Sequence, residues 1–406
     1  MTEGHLLTTM RTTIKIKDAG TSLEAVRPRV HGLEGVKREQ KGETIMSLET
    51  TYPTLDQTTT AFAERMLDVL NSAALSLMIS IGHKTHLFDS MSELPPSTSE
   101  QIAQAAGLHE RYVREWLATL VTGHIVTYDV AHGTYSLPPE HAASLTRRAG
   151  PNNLALQTQY IVLLANVQDE VVACFSKGGG VPYSSFPQFQ RLMAEESTQV
   201  VDASLLQTTL PLIPGLLERL QAGIEVADIG CGCGHAINVI AQAFPKSRFV
   251  GYDISHEGIA TAQAEARRLG LANTRFEVQD VSRLDTPEHY DFITAFDAIH
   301  DQVSPREVLQ AVAKALRPQG IFLMVDIAAS SVLQENIGHP LAPFLYTISC
   351  NHCMTVSLAE KGAGLGTVWG EQRARQMLQE AGFSRLEVKH VEADFLNSYY
   401  IASKEG

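Results

Sequence analysis

The chain has 406 residues, of which 44% are apolar and 19% are charged, and its net charge is −13. This composition is typical of a globular protein with two or three domains and shows neither a fibrous nor a disordered bias. The negative charge argues against a nucleic-acid partner, because phosphate contacts require clustered Lys and Arg.

The cysteines and the N-terminal residues indicate the cellular compartment in which the protein is expected. Five cysteines, unevenly spaced in a long chain, indicate a reducing compartment, and we expect a cytoplasmic protein. The most apolar stretch, Ala73–Ile81, is about half as long as a membrane span, so no membrane partner is expected. Residues 1–45 lack an apolar core, which predicts a disordered extension, with Met46 as an alternative start. The alternative is a mitochondrial presequence, although such peptides avoid the acidic residues found here.

Residues 46–150 follow the element order of a winged helix, namely a helix, a turn, a second helix and then a hairpin. Apolar residues at helical spacing predict a first long helix over Thr60–Met91. Ser97-Thr-Ser-Glu100 has the pattern of a capping box at the start of the next helix. The helices and hairpin strands that follow are predicted at Glu100–Ala106, Glu110–Thr122, Ile125–Tyr128 and Thr134–Leu137.

The second half of the chain changes to strand–helix alternation. Residues 151–220 are predicted to be a mostly helical linker that contributes to a substrate pocket. Residues 221–406 are predicted to form a doubly wound, mostly parallel sheet with helices on both faces. The predicted strands are Glu225–Ile229, Arg248–Tyr252, Thr274–Val278, Asp291–Phe296, Gly320–Asp326, Arg385–Val391 and Leu396–Ala402. The predicted helices between them are Gly234–Phe244, Glu257–Leu269, Pro305–Leu316 and Glu371–Ala381.

The strongest motif is Asp228-Ile-Gly230-Cys-Gly232-Cys-Gly234, which joins a strand to a helix. Glycines at this place allow a tight turn and a close approach of backbone to a ligand at the carboxyl end of a strand. The spacing lacks the G-x-x-G end of a dinucleotide motif, and the carboxylate of Asp228 suits a cationic ligand better than a pyrophosphate. NAD is therefore the less favoured alternative. Asp253 ends the second strand, where a carboxylate can accept hydrogen bonds from ribose hydroxyls, and Asp280 follows the third strand.

From Glu225 to the C-terminus these residues resemble the class I S-adenosylmethionine-dependent methyltransferases. The winged helix is similar to the dimerisation domain that precedes many small-molecule O-methyltransferases. The resemblance implies an α/β fold with a Rossmann-like methyltransferase sheet, S-adenosyl-L-methionine as cofactor, a small-molecule acceptor and a homodimer. The cofactor-binding residues that it implies are Asp228, Gly230, Gly232, Gly234, Asp253, Ile254, Asp280, Val281, Phe296 and Asp297.

In that family a His after the fourth strand is the general base, in a His-Asp pair before a helix. The matching residues here are His300 and Asp301, which the resemblance assigns as catalytic. A neutral imidazole suits the deprotonation of a hydroxyl, because its pKa lies near working pH. Gln302 stands where the family often has Trp, and the alternative is that His300 only lines the pocket.

Further residues are candidates for the substrate pocket, and each of them has plain packing as its alternative. The cluster of Cys350, His352 and Cys353 also suits zinc, but a fourth ligand with suitable spacing is missing, so no metal is predicted. Cys231 and Cys233, which separate the glycines, are assigned to packing. The candidates are Cys350, His352 and Cys353 between the fifth strand and the last helix, Trp369 after them, and the aromatic residues Tyr183 and Phe186.

Two other functions fit parts of the pattern. A winged helix also suits a DNA-binding regulator, but its second helix balances Arg111 and Arg114 with glutamates and the wing turn has no Lys or Arg. A cofactor-binding pseudoenzyme is the third hypothesis. The methyl acceptor stays open, because oxygen, sulfur, nitrogen and carbon acceptors are all compatible with such a domain.

Overall fold

The computed structural model describes residues 55–391 and 394–404, so the predicted extension of residues 1–45 lies outside the described part. The described residues from Leu67 onward belong to one compact unit. This unit contains most of the winged helix, the helical linker and the main sheet. The elements of the winged-helix part are α1 (Leu55–Lys84), α2 (Leu87–Glu93), α3 (Ser99–Ala106), α4 (Glu110–Thr122), β1 (Thr127–Asp129), β2 (Thr134–Ser136) and α5 (Pro139–Leu145).

The long first helix that the sequence predicts is broken in two at His86. This residue has φ +59°, a left-handed conformation that ends α1 and redirects the chain into α2. The redirection buries Phe88, whose ring meets Trp116 of α4 edge to face at 5.2 Å. Helical spacing continues through the break, so the apolar pattern alone could not reveal it. The burial of aromatic surface in the winged-helix core offsets the strain at His86.

A capping box begins α3, one residue later than the sequence pattern indicates. Thr98 is the N-cap: its hydroxyl accepts from the backbone N–H of Gln101, and the Gln101 side chain accepts from the backbone N–H of Thr98. The helix ends at Gly107, as predicted, with φ +67°. The two hairpin strands pair antiparallel, with Tyr128 opposite Tyr135.

The linker between the winged helix and the main sheet is helical, as predicted. Its aromatic and aliphatic side chains form a buried cluster of their own, which includes Tyr160, Phe186 and Phe189. The segment that joins α7 to α8 contains Gly178 and Gly179, both with positive φ. The helices are α6 (Leu154–Ala165), α7 (Gln168–Lys177), α8 (Phe189–Ser204) and α9 (Leu216–Ala222).

The main sheet has seven strands in the order β5-β4-β3-β6-β7-β9-β8. All are parallel except β9, which runs antiparallel to both of its neighbours. Buried apolar residues on both faces, such as Ile229, Val250 and Phe292, pack against the flanking helices. The strands are β3 (Glu225–Ile229), β4 (Arg248–Asp253), β5 (Thr274–Val278), β6 (Tyr290–Phe296), β7 (Leu316–Ile327), β8 (Arg385–Val391) and β9 (Asp394–Ser403).

The helices of this domain occupy the positions that the alternation predicts, with further helices between β7 and β8. They are α10 (His235–Ala243), α11 (His256–Leu269), α12 (Pro305–Ala315), α13 (Leu333–Asn336), α14 (Ala342–Ile348), α15 (Met354–Ala359) and α16 (Gly370–Glu380). Strand β3 lies between β4 and β6, so the strand order reverses there. Doubly wound sheets bind ligands at the carboxyl ends of such strands.

One described helix is long and apolar enough to cross a membrane, namely Thr58–Lys84, and only 17% of its apolar window is buried. A second span would exist only if the sharply bent pair Phe189–Leu212 and Leu216–Ala222 formed one crossing. The helix continues well beyond the short stretch on which the sequence-based expectation rested. The absence of a membrane partner therefore stays a prediction.

Candidate functional site

The glycine loop turns the chain sharply at the carboxyl end of β3. Gly230 and Gly234 have φ of +68° and +71°, which L-residues with a side chain rarely adopt. Neither position has space for a side chain: a Cβ at Gly230 would lie 2.5 Å from the Cβ of Ala298, and one at Gly234 would lie 2.5 Å from that of Ala262. The loop is fixed to the next strand because the N–H groups of Gly230 and Cys231 both donate to Tyr252 O.

Asp228 and Asp253 place two carboxyl groups at this loop. Asp228 is buried at the end of β3 and accepts a 2.7 Å hydrogen bond from the Thr294 hydroxyl, and burial raises its pKa to about 7. Asp253, at the end of β4, accepts from the backbone N–H of Gly232 and of Ser255, each at 2.8 Å. Burial raises the pKa of Asp253 as well. Carboxyl groups destabilised by burial gain from a nearby positive charge, and a sulfonium ion supplies one.

The predicted cofactor-binding residues Ile254, Asp280 and Val281 follow β4 and β5. Ile254 exposes 71% of its surface beside Asp253, so an apolar side chain is free to cover one face of a planar ring. Asp280 caps a short turn by accepting from the N–H and hydroxyl of Ser282, and Val281 is buried beneath it. The backbone also ties the two strand ends together, since Gln279 N–H donates to Asp253 O.

Phe296 and Asp297 end β6 on the other side of the loop. Asp297 has φ +49°, a strained conformation for a residue other than glycine, and its N–H donates to Val325 O. Its Oδ1 is buried without a hydrogen-bond partner in the described structure. Burial, and secondarily the charge of Asp326, raises the pKa of Asp297 to about 8. One oxygen of this buried carboxyl group is thus available to a ligand.

His300 is buried and forms a pair with Asp326, the penultimate residue of β7. His300 Nδ1–H donates to Asp326 Oδ1 at 2.8 Å. The same oxygen accepts from Trp369 Nε1 at 3.1 Å and from the Ile327 N–H at 2.9 Å. The pKa of His300 is held well above its ordinary value: burial alone would lower it, but the neighbouring Asp326 outweighs that effect. The arrangement fixes the tautomer and leaves Nε2 for a second partner.

Asp301, the second predicted catalytic residue, does not contact the imidazole through a hydrogen bond of the described structure. Burial raises its pKa to about 6, and the nearby His300 opposes this rise. Tyr183 lies close enough for the charges of Asp301 and Asp253 to raise its pKa further above the effect of burial. Tyr183 therefore stands near both the predicted catalytic pair and the predicted ribose contact.

His352 is fully buried among the aromatic rings of the linker. Its ring stacks on Phe189 at 3.5 Å and meets Phe186 and Tyr183 edge to face at 4.6 and 5.6 Å. Burial, with the charge of His300 in addition, lowers the pKa of His352 to about 3, so the ring is neutral. Neither ring nitrogen has a hydrogen-bond partner in the described structure. Buried polar atoms without partners are costly, which makes this imidazole a candidate ligand contact.

The remaining predicted substrate residues divide between the pocket and the support behind it. Cys353 is buried close enough to His300 to help raise the pKa of that ring, whereas Cys350 packs at the edge of the linker cluster. Trp369 contacts Asp326 and the main core, so it supports the His300–Asp326 pair from behind. Within the described residues, no three His, Cys, Asp or Glu side chains are placed to hold a metal ion.

Three residues at this site were not predicted from the sequence. Asp326 could have been found, because it lies near the carboxyl end of a predicted strand beside β6, the position that the ligand rule for doubly wound sheets singles out. Phe189 and Glu196 lie on α8 without any motif. The Glu196 carboxylate accepts from the Tyr160 hydroxyl and from Gln157 Nε2, and its charge raises the pKa of Asp297.

The site fits S-adenosylmethionine on its own geometry. The glycine loop has no space for a side chain at Gly230 or Gly234, and two backbone N–H groups hold Asp253 in place. Burial raises the pKa of Asp228 and of Asp253, and the positive charge of a sulfonium would oppose that rise. Fold and site together define a class I methyltransferase domain that depends on S-adenosylmethionine.

Family models match both the winged-helix part and the methyltransferase part of the chain. Residues 73–147 match the Rv2258c-like winged HTH domain, and residues 220–382 match a methyltransferase domain. The chain therefore joins a winged-helix domain of that type to an S-adenosylmethionine-dependent methyltransferase domain.

Relatives of known activity match one third to three quarters of this chain. Malonyl-[acyl-carrier protein] O-methyltransferase of Bacillus cereus is 26% identical over 36% of this chain and 48% of its own length, so the chain spans about half of that relative. Demethylspheroidene O-methyltransferase of Rhodobacter capsulatus is 23% identical over 75% of this chain and 73% of its own. The structure of human N-acetylserotonin methyltransferase with SAM covers 85% of this chain and 98% of its own, at 16% identity and a TM-score of 0.61. This last similarity concerns the fold alone.

Proposed function

We propose that the protein transfers the methyl group of S-adenosylmethionine to a hydroxyl group of a small molecule, with His300 as general base. The observation that carries the proposal is the His300–Asp326 pair at the carboxyl ends of β6 and β7, on the same edge of the sheet as the glycine loop. O-methyltransferases among the relatives and structural neighbours support the reaction class.

The chain's own groups suit the removal of a proton from a hydroxyl. Asp326 holds Nδ1, so the acceptor hydroxyl meets Nε2 and gives its proton to that atom. The imidazolium that forms is stabilised by the carboxylate behind it. The aromatic rings of Tyr183, Phe186 and Phe189 offer flat surfaces to the acceptor and exclude water. Bound at the glycine loop, the cofactor supplies an electrophilic methyl group.

The test is transfer of a deuterated methyl group from labelled cofactor to a mixture of small molecules, followed by mass spectrometry. We expect methylated products among hydroxyl compounds, and at least a 10²-fold lower rate for His300→Ala, the lower end of the usual effect of a general base. Matched thiols and amines in the same mixture discriminate the acceptor atom. Methylation of thiols alone, at a rate that His300→Ala leaves unchanged, would refute the proposed base.

We further propose a homodimer formed through the exposed face of α1. Leu67, Leu70, Leu77 and Ile81 each expose between 45 and 66% of their surface, and residues 70 and 77 are two helical turns apart on one side. Such a row of exposed aliphatic side chains is typical of an interface. A second copy offers an identical apolar row, which matches it without any polar group to bury.

DNA binding by the winged helix is the less favoured function. In α4, Arg111 pairs with Glu115 at 2.6 Å and Arg114 with Glu110 at 3.3 Å, so both positive charges are compensated within the helix. In the wing, His132 pairs with Asp129. These pairs support a scaffolding role for this domain, since phosphate contacts need uncompensated positive charge.

A further inference from the structure

His352 is a buried polar side chain that the fold leaves without a polar partner. Its ring is 0% exposed, and neither ring nitrogen forms a hydrogen bond with any described residue. Buried polar atoms without partners cost free energy, and the rings of Phe186 and Phe189 beside the imidazole do not offset that cost. An apolar ring would pack here without it, so packing alone does not account for an imidazole at this position.

The backbone around His352 is a second indication of a ligand. Ser349–Cys353 is a π-helical turn between α14 and α15, a rare form that occurs frequently at functional sites. The linker segment that leads to the aromatic rings is fixed against the next helix, because the Val181 N–H donates to Thr355 Oγ1 at 2.8 Å. A Cβ at Gly180 would collide with Thr355 O, so the segment packs directly on α15. The aromatic rings and the turn therefore form one continuous wall.

The π-helical turn also packs against the segments around His300. The Gly366 N–H donates to His300 O at 3.2 Å, and a Cβ at Gly366 would collide with the Ser349 hydroxyl. The Ser357 hydroxyl donates to Gln302 O at 2.9 Å, so α15 is bonded to the chain that follows His300. These contacts hold the imidazole of the turn and the imidazole of the proposed base in a fixed relation to each other.

The surroundings of His352 define the chemical group that it suits. Burial, with the charge of His300 in addition, lowers the pKa of the ring to about 3, so the neutral imidazole offers one N–H donor and one acceptor nitrogen. An ionised group would lose its hydration among the aromatic rings without gaining a counter-charge from them. A neutral oxygen avoids that loss and accepts from the N–H. Tyr183, at the edge of the cluster, exposes 40% of its surface, so the cluster reaches the solvent there.

We propose that His352 determines specificity by donating a hydrogen bond to a second, neutral oxygen of a planar aromatic acceptor whose hydroxyl group faces His300. The inference rests on the proposed function, since it takes that hydroxyl as the group to be methylated. A carbonyl oxygen attached to the aromatic ring suits the N–H best, because it only accepts. An acceptor without the second oxygen leaves the buried N–H unpaired and is therefore rejected. The role of His352 is recognition, and no bond is made or broken at its ring.

The test measures binding, so that it does not depend on methyl transfer. Dissociation constants are measured for the full chain with S-adenosylhomocysteine present. The probes are ortho-, meta- and para-hydroxyacetophenone, each matched by the ethylphenol that has CH₂ in place of the carbonyl. We expect at least one hydroxyacetophenone to bind at least tenfold tighter than its ethylphenol. Equal affinities within every pair, or no binding by any of the six probes, would overturn the proposal. The expected preference without methyl transfer to any probe would count against the proposed function alone.

Variants of His352 separate recognition from packing. His352→Phe should reduce the preference for the hydroxyacetophenone to less than twofold and leave the affinity for the ethylphenol within threefold of wild type. His352→Gln, which keeps an N–H donor, should retain a preference of at least threefold. His289→Phe is the matched control, since it makes the same change just before β6, at the opposite end of that strand from His300, and it should keep the full preference. A preference that survives in His352→Phe, or an equal loss of affinity for both probes, would contradict the proposal.

Nuclear magnetic resonance of the wild type tests the contact without any substitution. The ¹⁵N resonances of the His352 imidazole should shift when the preferred hydroxyacetophenone binds, because its N–H then gains an acceptor. They should stay in place at the same occupancy of the matched ethylphenol. Resonances that neither probe shifts, or that both shift equally, would overturn a direct hydrogen bond from His352.

Discussion

At the scale of single residues, the position of His300 depends on Asp326 more than on its neighbour in sequence. The buried carboxylate receives three hydrogen bonds at one oxygen, one of them from the imidazole, so the ring has little freedom to turn. Asp301 lacks such a contact and stands instead near Tyr183. The orientation of a catalytic imidazole by a second residue is a common device in enzymes.

Replacement of Asp326 by Asn tests this positioning role. We expect kcat to fall about 10–10²-fold with little change in cofactor affinity, the usual effect of losing an orienting partner. The pH profile provides the sharper measurement. Asp326 raises the pKa of His300, so the wild-type rate should rise with pH only above the ordinary histidine value, and the rise should move to lower pH in the variant. Asp285→Asn, which removes an exposed carboxylate paired with Lys314, is the control. An unmoved pH profile in Asp326→Asn would contradict the positioning role.

The sequence predicts part of this site and not the rest. The glycine loop, Asp253 and His300 follow from strand ends and motif spacing, which are local properties. Asp326 follows from a predicted strand end only once β7 is placed beside β6. The environment of His352 needed the packing of α8 against the π-helical turn, a contact between segments more than a hundred residues apart, which has no local pattern that a single sequence displays.

At the scale of elements, the glycine loop and α10 form one unit with the neighbouring strands. The left-handed turn at Gly234 starts α10 against Ala262 and Phe276, so the loop is shaped by packing as well as by its own backbone. The alternation of buried strands and amphipathic helices made this part of the fold predictable. The break at His86 was not predictable in the same way, because the apolar spacing continues through it.

A pair of glycine substitutions separates backbone strain from packing at the loop. Gly270 and Gly234 have φ of +69° and +71°, but a Cβ at Gly270 meets nothing within 4 Å. Gly270→Ala should therefore cost only the strain of a left-handed residue, about 1–2 kcal/mol of unfolding free energy. Gly234→Ala should cost about 1–3 kcal/mol more, because it overpacks the core, and it alone should weaken cofactor binding. Urea unfolding and titration with S-adenosylhomocysteine measure the two effects. Equal costs and equal affinities in both variants would show that the close packing at Gly234 has no consequence.

At the scale of the whole molecule, the winged-helix domain carries an exposed row of aliphatic side chains, and the methyltransferase domain carries the cofactor site. The arginines of α4 are paired within the helix, whereas the aliphatic residues of α1 are exposed in a row. A membrane-crossing helix has the same composition, so the two possibilities differ in what covers α1. The proposed dimer would cover the exposed row without a lipid phase.

Light scattering at micromolar concentration tests the dimer. We expect twice the 44.3 kDa of one chain for wild type and one chain for the double variant Leu70→Glu, Leu77→Glu, because charges cannot be buried unpaired at an interface. Tyr112→Glu is the matched control, because it changes a highly exposed residue on a different helix, α4, and this variant should stay a dimer. A wild-type mass of one chain would refute the dimer, and sedimentation with lipid vesicles would instead favour a membrane-bound helix.

The central claim, a site for S-adenosylmethionine at the glycine loop, is tested most directly by calorimetric titration. We predict that S-adenosylhomocysteine binds at micromolar concentration or tighter and that NAD produces no binding heat. Asp253→Ala should weaken the binding by roughly 1.5–3 kcal/mol, the scale of a lost hydrogen bond to a charged group. Binding of NAD without binding of S-adenosylhomocysteine would contradict the account.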